Sequence, residues 1–98
     1  MSLSARREFG FRLKQLQEGE ILSLPSSRPM PSIGRACHEL RVTDENKTWR
    51  LFYKMDDEAI VILDVIEKKT QQTPKATMDV CKQRLKSYED AKRKKFKS

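Results

Sequence analysis

The chain has no long apolar run, two cysteines and a single histidine, and each scarcity closes off a class of protein. A membrane-spanning helix needs about 18 consecutive apolar residues, and no stretch of the 98 approaches that. The opening stretch Met1-Ser2-Leu3-Ser4-Ala5-Arg6-Arg7 lacks the apolar core of a signal peptide. The expected location is therefore the cytoplasm, with no membrane partner. Cys37 and Cys81 stand far apart with no second cysteine beside either, so neither a metal site nor a disulfide framework is expected. Both read as small buried thiols, and no cofactor is implied.

What remains is enough for one domain, since a second core would need on the order of 50 further residues. Hydrophobic residues make up 37% and charged residues 36%, so the apolar material must be concentrated in a few patterned elements. The net charge of +7 is unevenly placed: residues 1–66 carry ten Lys/Arg against ten Asp/Glu, whereas residues 67–98 carry eleven against four. A cationic surface of this kind attracts phosphate polymers, although it could equally be a solvated helix face.

Ser4 is placed to cap a helix over residues 5–18 that stops near Gly19, with Phe9, Leu13 and Leu16 forming one apolar stripe. A short apolar patch follows at Ile21-Leu22-Ser23-Leu24. Pro25, Pro29, Pro31 and Gly34 then punctuate residues 25–36, which read as an ordered loop. From Cys37 the period becomes two: His38, Leu40 and Val42 share one face, while Glu39 and Arg41 share the other. Residues 44–47 make a turn, and Trp49, Leu51, Tyr53 and Met55 line the apolar side of a second strand. After a turn at 56–58, Ala59–Ile66 is apolar on both faces apart from Asp64, as a central covered strand would be. Thr73-Pro74 announces a last helix, with Thr73 as cap and Met78, Cys81, Leu85 and Tyr88 on its apolar stripe. The expected fold is α+β: an N-terminal helix, a three-stranded antiparallel meander and a C-terminal helix in residues 1–90, with a frayed basic tail over 91–98.

If the first hairpin closes symmetrically, Thr43 faces Thr48, Leu40 faces Leu51 and Arg41 faces Arg50. Two opposed guanidiniums destabilise a sheet unless an acid, such as Glu39 or Asp64, or a bound anion lies between them. Guanidiniums suit bidentate phosphate binding, and Lys68 and Lys69 leave the third strand near the same edge. Such a cationic set could support attack of an RNA 2′-hydroxyl on the adjacent phosphate without a metal, or could simply position a polymer or partner protein. His38 has an ordinary pKa near neutrality and is the candidate general base, yet its face, shared with Leu40 and Val42, argues more for a structural histidine. Glu39 reads first as a salt-bridge partner and second as a proton acceptor. Tyr53, Tyr88 and Trp49 read as core residues.

The run Arg28-Pro29-Met30-Pro31-Ser32-Ile33-Gly34, then Glu39-Leu40-Arg41-Val42, Trp49-Arg50-Leu51-Phe52-Tyr53 and Lys68-Lys69-Thr70-Gln71-Gln72-Thr73-Pro74-Lys75, resembles the phage-derived HigB-like branch of the RelE/ParE toxin superfamily. The likeness spans roughly residues 4 to 88. It implies the toxin of a type II toxin–antitoxin pair, an endoribonuclease that cuts messenger RNA on the ribosome and is neutralised by a helix-turn-helix antitoxin. By motif position, Arg41, Arg50, Lys68 and Lys69 match the family's basic active-site set, and Lys75 joins them on the RNA-binding side. Members commonly begin with a further strand and helical segment before the equivalent of Ser4. Either the start is truncated or the domain lives with one strand fewer, which would expose a sheet edge open to a partner or a second copy. Two other readings stand beside this one: a gyrase poison like the ParE members, and an inactive phage-derived interaction module.

Overall fold

A computed structural model describes residues 1–20, 27–44, 46–57 and 59–97, the side chains of 95–97 excepted. The patch at Ile21-Leu22-Ser23-Leu24 lies outside the described residues. The chain runs α1 (Leu3–Gln17), β1 (Ser27–Pro29), β2 (Cys37–Asp44), β3 (Lys47–Met55), β4 (Ile60–Glu67) and α2 (Lys75–Lys97). The strands form one antiparallel sheet in sequence order, with a helix against each face. Among the described residues no helix is long and apolar enough to cross a membrane.

The helix cap lies two residues earlier than expected. Ser2, not Ser4, takes the extended cap conformation, and its hydroxyl oxygen accepts from the Ala5 amide at 3.1 Å. Ser2 wins because its hydroxyl also donates to the Asp44 carboxylate at the β2–β3 turn, a partner that sequence spacing does not reveal. The expected stripe is then buried, with Ala5, Phe9 and Leu16 in contact with Leu40, Val42, Leu51 and Tyr53, and with Leu13, Trp49 and Met55 at its margin.

The opposite face carries the second core, built from Ile33, Cys37, Phe52, Leu63, Cys81 and Leu85. Alternation along β2 and β3 produces the division, since odd and even positions point to opposite faces. Both cysteines are buried free thiols; burial raises the Cys37 thiol and pushes Cys81 up to about 11.

Residues 25–36 are not loop throughout, because Ser27–Pro29 adds a short strand beside β2, with Arg28 opposite Glu39. The outer side of β2 is therefore paired over this stretch. Two prolines masked the strand; Pro29 tolerates it because β1 is itself an edge.

β4 is also an edge and not the central strand expected. The register shifts between Phe52 and Tyr53, which pair with Asp64 and Ile62 and leave Leu63 as the extra residue of a bulge. The bulge changes the phase of the side chains. Ile60 and Val65 reach the α1 core, whereas Val61, Leu63 and Ile66 reach the α2 core. An alternating strand interrupted once therefore reads in sequence as apolar on both faces.

At the start of α2, Pro74 occupies the cap position, its carbonyl accepting from the Met78 amide at 3.1 Å, so Thr73 does not cap the helix as expected. The helix continues to Lys97 where a frayed tail was expected, and Lys92 reaches both Asp56 carboxylate oxygens at 2.8 and 2.9 Å.

Candidate nucleic-acid interface

The first hairpin has the symmetric register: Thr43 faces Thr48, Leu40 faces Leu51, and Arg41 faces Arg50. Both guanidiniums lie on the α2 face of the sheet, and Glu39 lies between them. Arg50 Nη2 donates to Glu39 Oε2 at 2.5 Å, and Arg41 Nε donates to Glu39 Oε1. Glu39 is 0% and Arg50 2% exposed, whereas the Arg41 side chain keeps 26%. Burial pushes the Glu39 carboxyl up, but the two arginines outweigh that and hold it below its ordinary value. The buried carboxylate offsets one of the two positive charges, so the triad presents a net charge of about +1 rather than two bare cations.

The remaining contacts of Arg50 organise the neighbouring surface. Its Nη2 also donates to Thr73 Oγ1 at 2.8 Å, and its guanidinium lies 5.4 Å from the centre of the Phe52 ring. The Thr73 hydroxyl is thus drawn to the sheet, tying down the β4–α2 connection. Within that connection the Thr70 hydroxyl donates to the Gln72 carbonyl at 2.7 Å, and at its start the Lys68 amide donates to the Thr48 carbonyl at 2.7 Å.

Between this connection and the segment after β1 lies a cleft of about 390 Å³. Arg28, Met30 and Ser32 line one side, Gln71, Gln72 and Thr73 the other, and Arg50 lines it from the sheet. Arg50 Nε and Nη1 are buried without a hydrogen-bond partner among the described residues. Donors of this kind left unmatched carry a free-energy cost of about 1–3 kcal/mol each.

The expected site residues separate under this geometry. Arg41 and Arg50 are brought together by the ladder, and Lys68 and Lys69 follow directly where β4 ends, Lys68 half-buried and Lys69 exposed. Lys75 opens α2 and is exposed, two residues beyond Thr73. His38 belongs elsewhere: it stacks on Tyr53 at 5.4 Å between ring centres, on the α1 face, with the sheet between it and the arginines. Its Nδ1 is buried without a partner among the described residues. Tyr53 is core, its hydroxyl 2.9 Å from that of Ser27, and Tyr88 bonds Asp56 at the β3–β4 turn.

Arg28 is the residue that sequence reasoning left without a role. It is exposed, stands opposite Glu39 in the β1–β2 pairing, and lines the cleft beside Arg50. An arginine before proline in a loop gives no face assignment, so only the strand pairing reveals it.

No curated protein and no solved structure matches this chain. The family model described as phage derived protein Gp49-like (DUF891) matches residues 1–86, which take in α1, the whole sheet and the first half of α2. The chain therefore belongs to the phage-derived Gp49-like family, which lies within the RelE-like toxin superfamily.

Proposed function

We propose that this protein is the toxin of a type II toxin–antitoxin pair, of the HigB-like kind, and that it cleaves messenger RNA in the cleft beside Arg50. The observation that carries the reading is the buried Arg50 guanidinium on the cleft wall, with Nε and Nη1 lacking an acceptor among the described residues. Arg28 adds an exposed guanidinium from the other side, and the Gln71 and Gln72 amides supply neutral donors and acceptors for ribose and base. Lys68, Lys69 and Lys75 extend the positive field along the connection.

The chemistry suited to such a cleft is transfer within the RNA backbone itself. The 2′-oxygen forms a bond to phosphorus, the bond from phosphorus to the 5′-oxygen breaks, and a proton passes from the 2′-hydroxyl to the leaving oxygen. The products are a 2′,3′-cyclic phosphate and a free 5′-hydroxyl. Arginine and lysine lower the barrier by holding the phosphate in line and by offsetting the charge that builds on its oxygens. A ribosome supplying the message and a helix-turn-helix antitoxin blocking the cleft are the partners of this reading.

The test uses purified protein with translating ribosomes. Message should be cut to fragments ending in cyclic phosphate, and Arg28→Gln or Lys69→Gln should slow cutting roughly 100-fold. Intact message sinks the nuclease reading. Loss of supercoiling by purified gyrase under the same conditions would instead favour the gyrase-poison branch of the superfamily.

A further inference from the structure

Six of the described cations of α2 fall into two sets, and Lys94, also exposed, lies about 100° around the helix from the second. Arg84 and Lys92 face the domain: Arg84 donates to the Leu63 carbonyl at 2.7 Å and lies 3.4 Å from Asp64, and Lys92 binds Asp56. Lys75, Lys82, Lys86 and Arg93 are exposed and form no ion pair among the described residues. At about 100° per residue these four fall within roughly 20° of one line, and at about 1.5 Å per residue they span roughly 27 Å. The acids nearest that line are Asp79 and Glu89, and Glu89 lies 3.7 Å from Lys54, across the helix–sheet boundary.

We infer that this row is a binding ridge for the phosphate backbone of double-helical RNA, distinct from the cleft and continuous with it. A straight, rigid row of unpaired cations fits a polymer whose phosphates are themselves regularly spaced and held stiff. Double-helical RNA is recognised mainly through such backbone contacts and shape. The choice of RNA rests on the reading of the cleft: Lys75, at one end of the ridge, lies two residues from Thr73 on the cleft wall, so one polymer can run from one to the other. The ridge would seat a structured portion of the RNA while single-stranded message enters the cleft.

The experiment measures binding of the full chain to a labelled RNA duplex of about 16 base pairs across a range of salt concentrations. Lys82→Gln/Lys86→Gln removes two ridge cations, and Arg6→Gln/Arg7→Gln removes two exposed cations from α1 as a matched loss of charge. The ridge variant should bind about tenfold more weakly, with the slope of log K against log salt reduced by about 2, and the α1 variant should bind within about twofold of the parent. Equal weakening by both variants, no weakening by the ridge variant, or tighter binding to a DNA duplex of the same sequence overturns the inference. Cleavage of message by each variant is scored in parallel. Parent protein that binds duplex through the ridge yet cuts nothing sinks the nuclease reading alone, whereas cutting without ridge-dependent binding sinks the ridge alone.

Discussion

Glu39 sets the electrostatics of the site, because it is a fully buried carboxylate shared by two guanidiniums. Breaking a buried pair costs about 3–5 kcal/mol, and loss of Arg50 falls towards the lower end because the partly exposed Arg41 stays paired with Glu39. Arg50→Met should therefore lower unfolding stability by that order. Arg41→Gln should cost about 1 kcal/mol, since solvent already reaches Arg41. Urea unfolding of the two variants checks the ranking, and an equal cost would refute it. The carboxyl of Glu39 is held below its ordinary 4.5, so its contribution is complete above that pH and is lost as pH falls through the folded value. The stability gap between the parent and Glu39→Gln should accordingly close as pH drops below about 4.5. His38 shows the opposite lesson: the chemistry of a residue type nominates it, and its face of the strand sets it across the sheet from the two arginines.

Among elements, two glycines make opposite demands on their surroundings. A Cβ at Gly34 would lie 2.6 Å from Leu85 Cδ2, so the loop after β1 is pressed against α2 where it borders the cleft. Gly34→Ala should cost about 1–3 kcal/mol through overpacking of Leu85, which sits in the second core. Gly10, in the middle of α1, has nothing within 4 Å of the corresponding position. Gly10→Ala should therefore stabilise by about 0.5–1 kcal/mol through helix propensity alone. Thermal melts of the two variants should move in opposite directions; a shift of both in one direction would contradict this account. The β4 bulge is a second matter decided at this scale. It makes an ordinary alternating edge strand read as apolar on both faces apart from Asp64, and Arg84 occupies the Leu63 carbonyl that the bulge leaves over.

Across the whole molecule, the end of α2 is fastened to the β3–β4 turn. Asp56 accepts from Lys92 and from the Tyr88 hydroxyl, and these bonds lower its carboxyl from 3.8 to about 2. Its bond with Asp56 in turn raises Lys92 above 10.5. The depressed carboxyl contributes above pH 3.8 and is lost as pH falls towards about 2, while the raised ammonium contributes below pH 10.5 and is lost above it. Hydrogen-exchange protection of residues 88–94 should therefore hold between those limits and decline outside them. Asp56→Asn should remove the acid decline while leaving the cleft residues protected. Unchanged protection at pH 2 would show that the helix end is held by something other than this contact.

Composition and periodicity by themselves determined the helix–meander–helix order and the two faces of β2 and β3, and with a symmetric turn the Arg41–Arg50 pairing; that Glu39 and not Asp64 lies between the two was decided by the structure. The first three are local or depend on a single turn, where side-chain alternation leaves little choice. Only the tertiary structure decided that Ser2 caps α1, that Thr73 serves Arg50 instead of its own helix, that β4 is a bulged edge, and that Arg28 stands beside the triad. The first two depend on partners 42 and 23 residues away and the others on strand pairing, and a hydroxyl or guanidinium with several acceptors in reach binds the one that packing brings near. The sequence supplies the donors, and the fold selects among their acceptors.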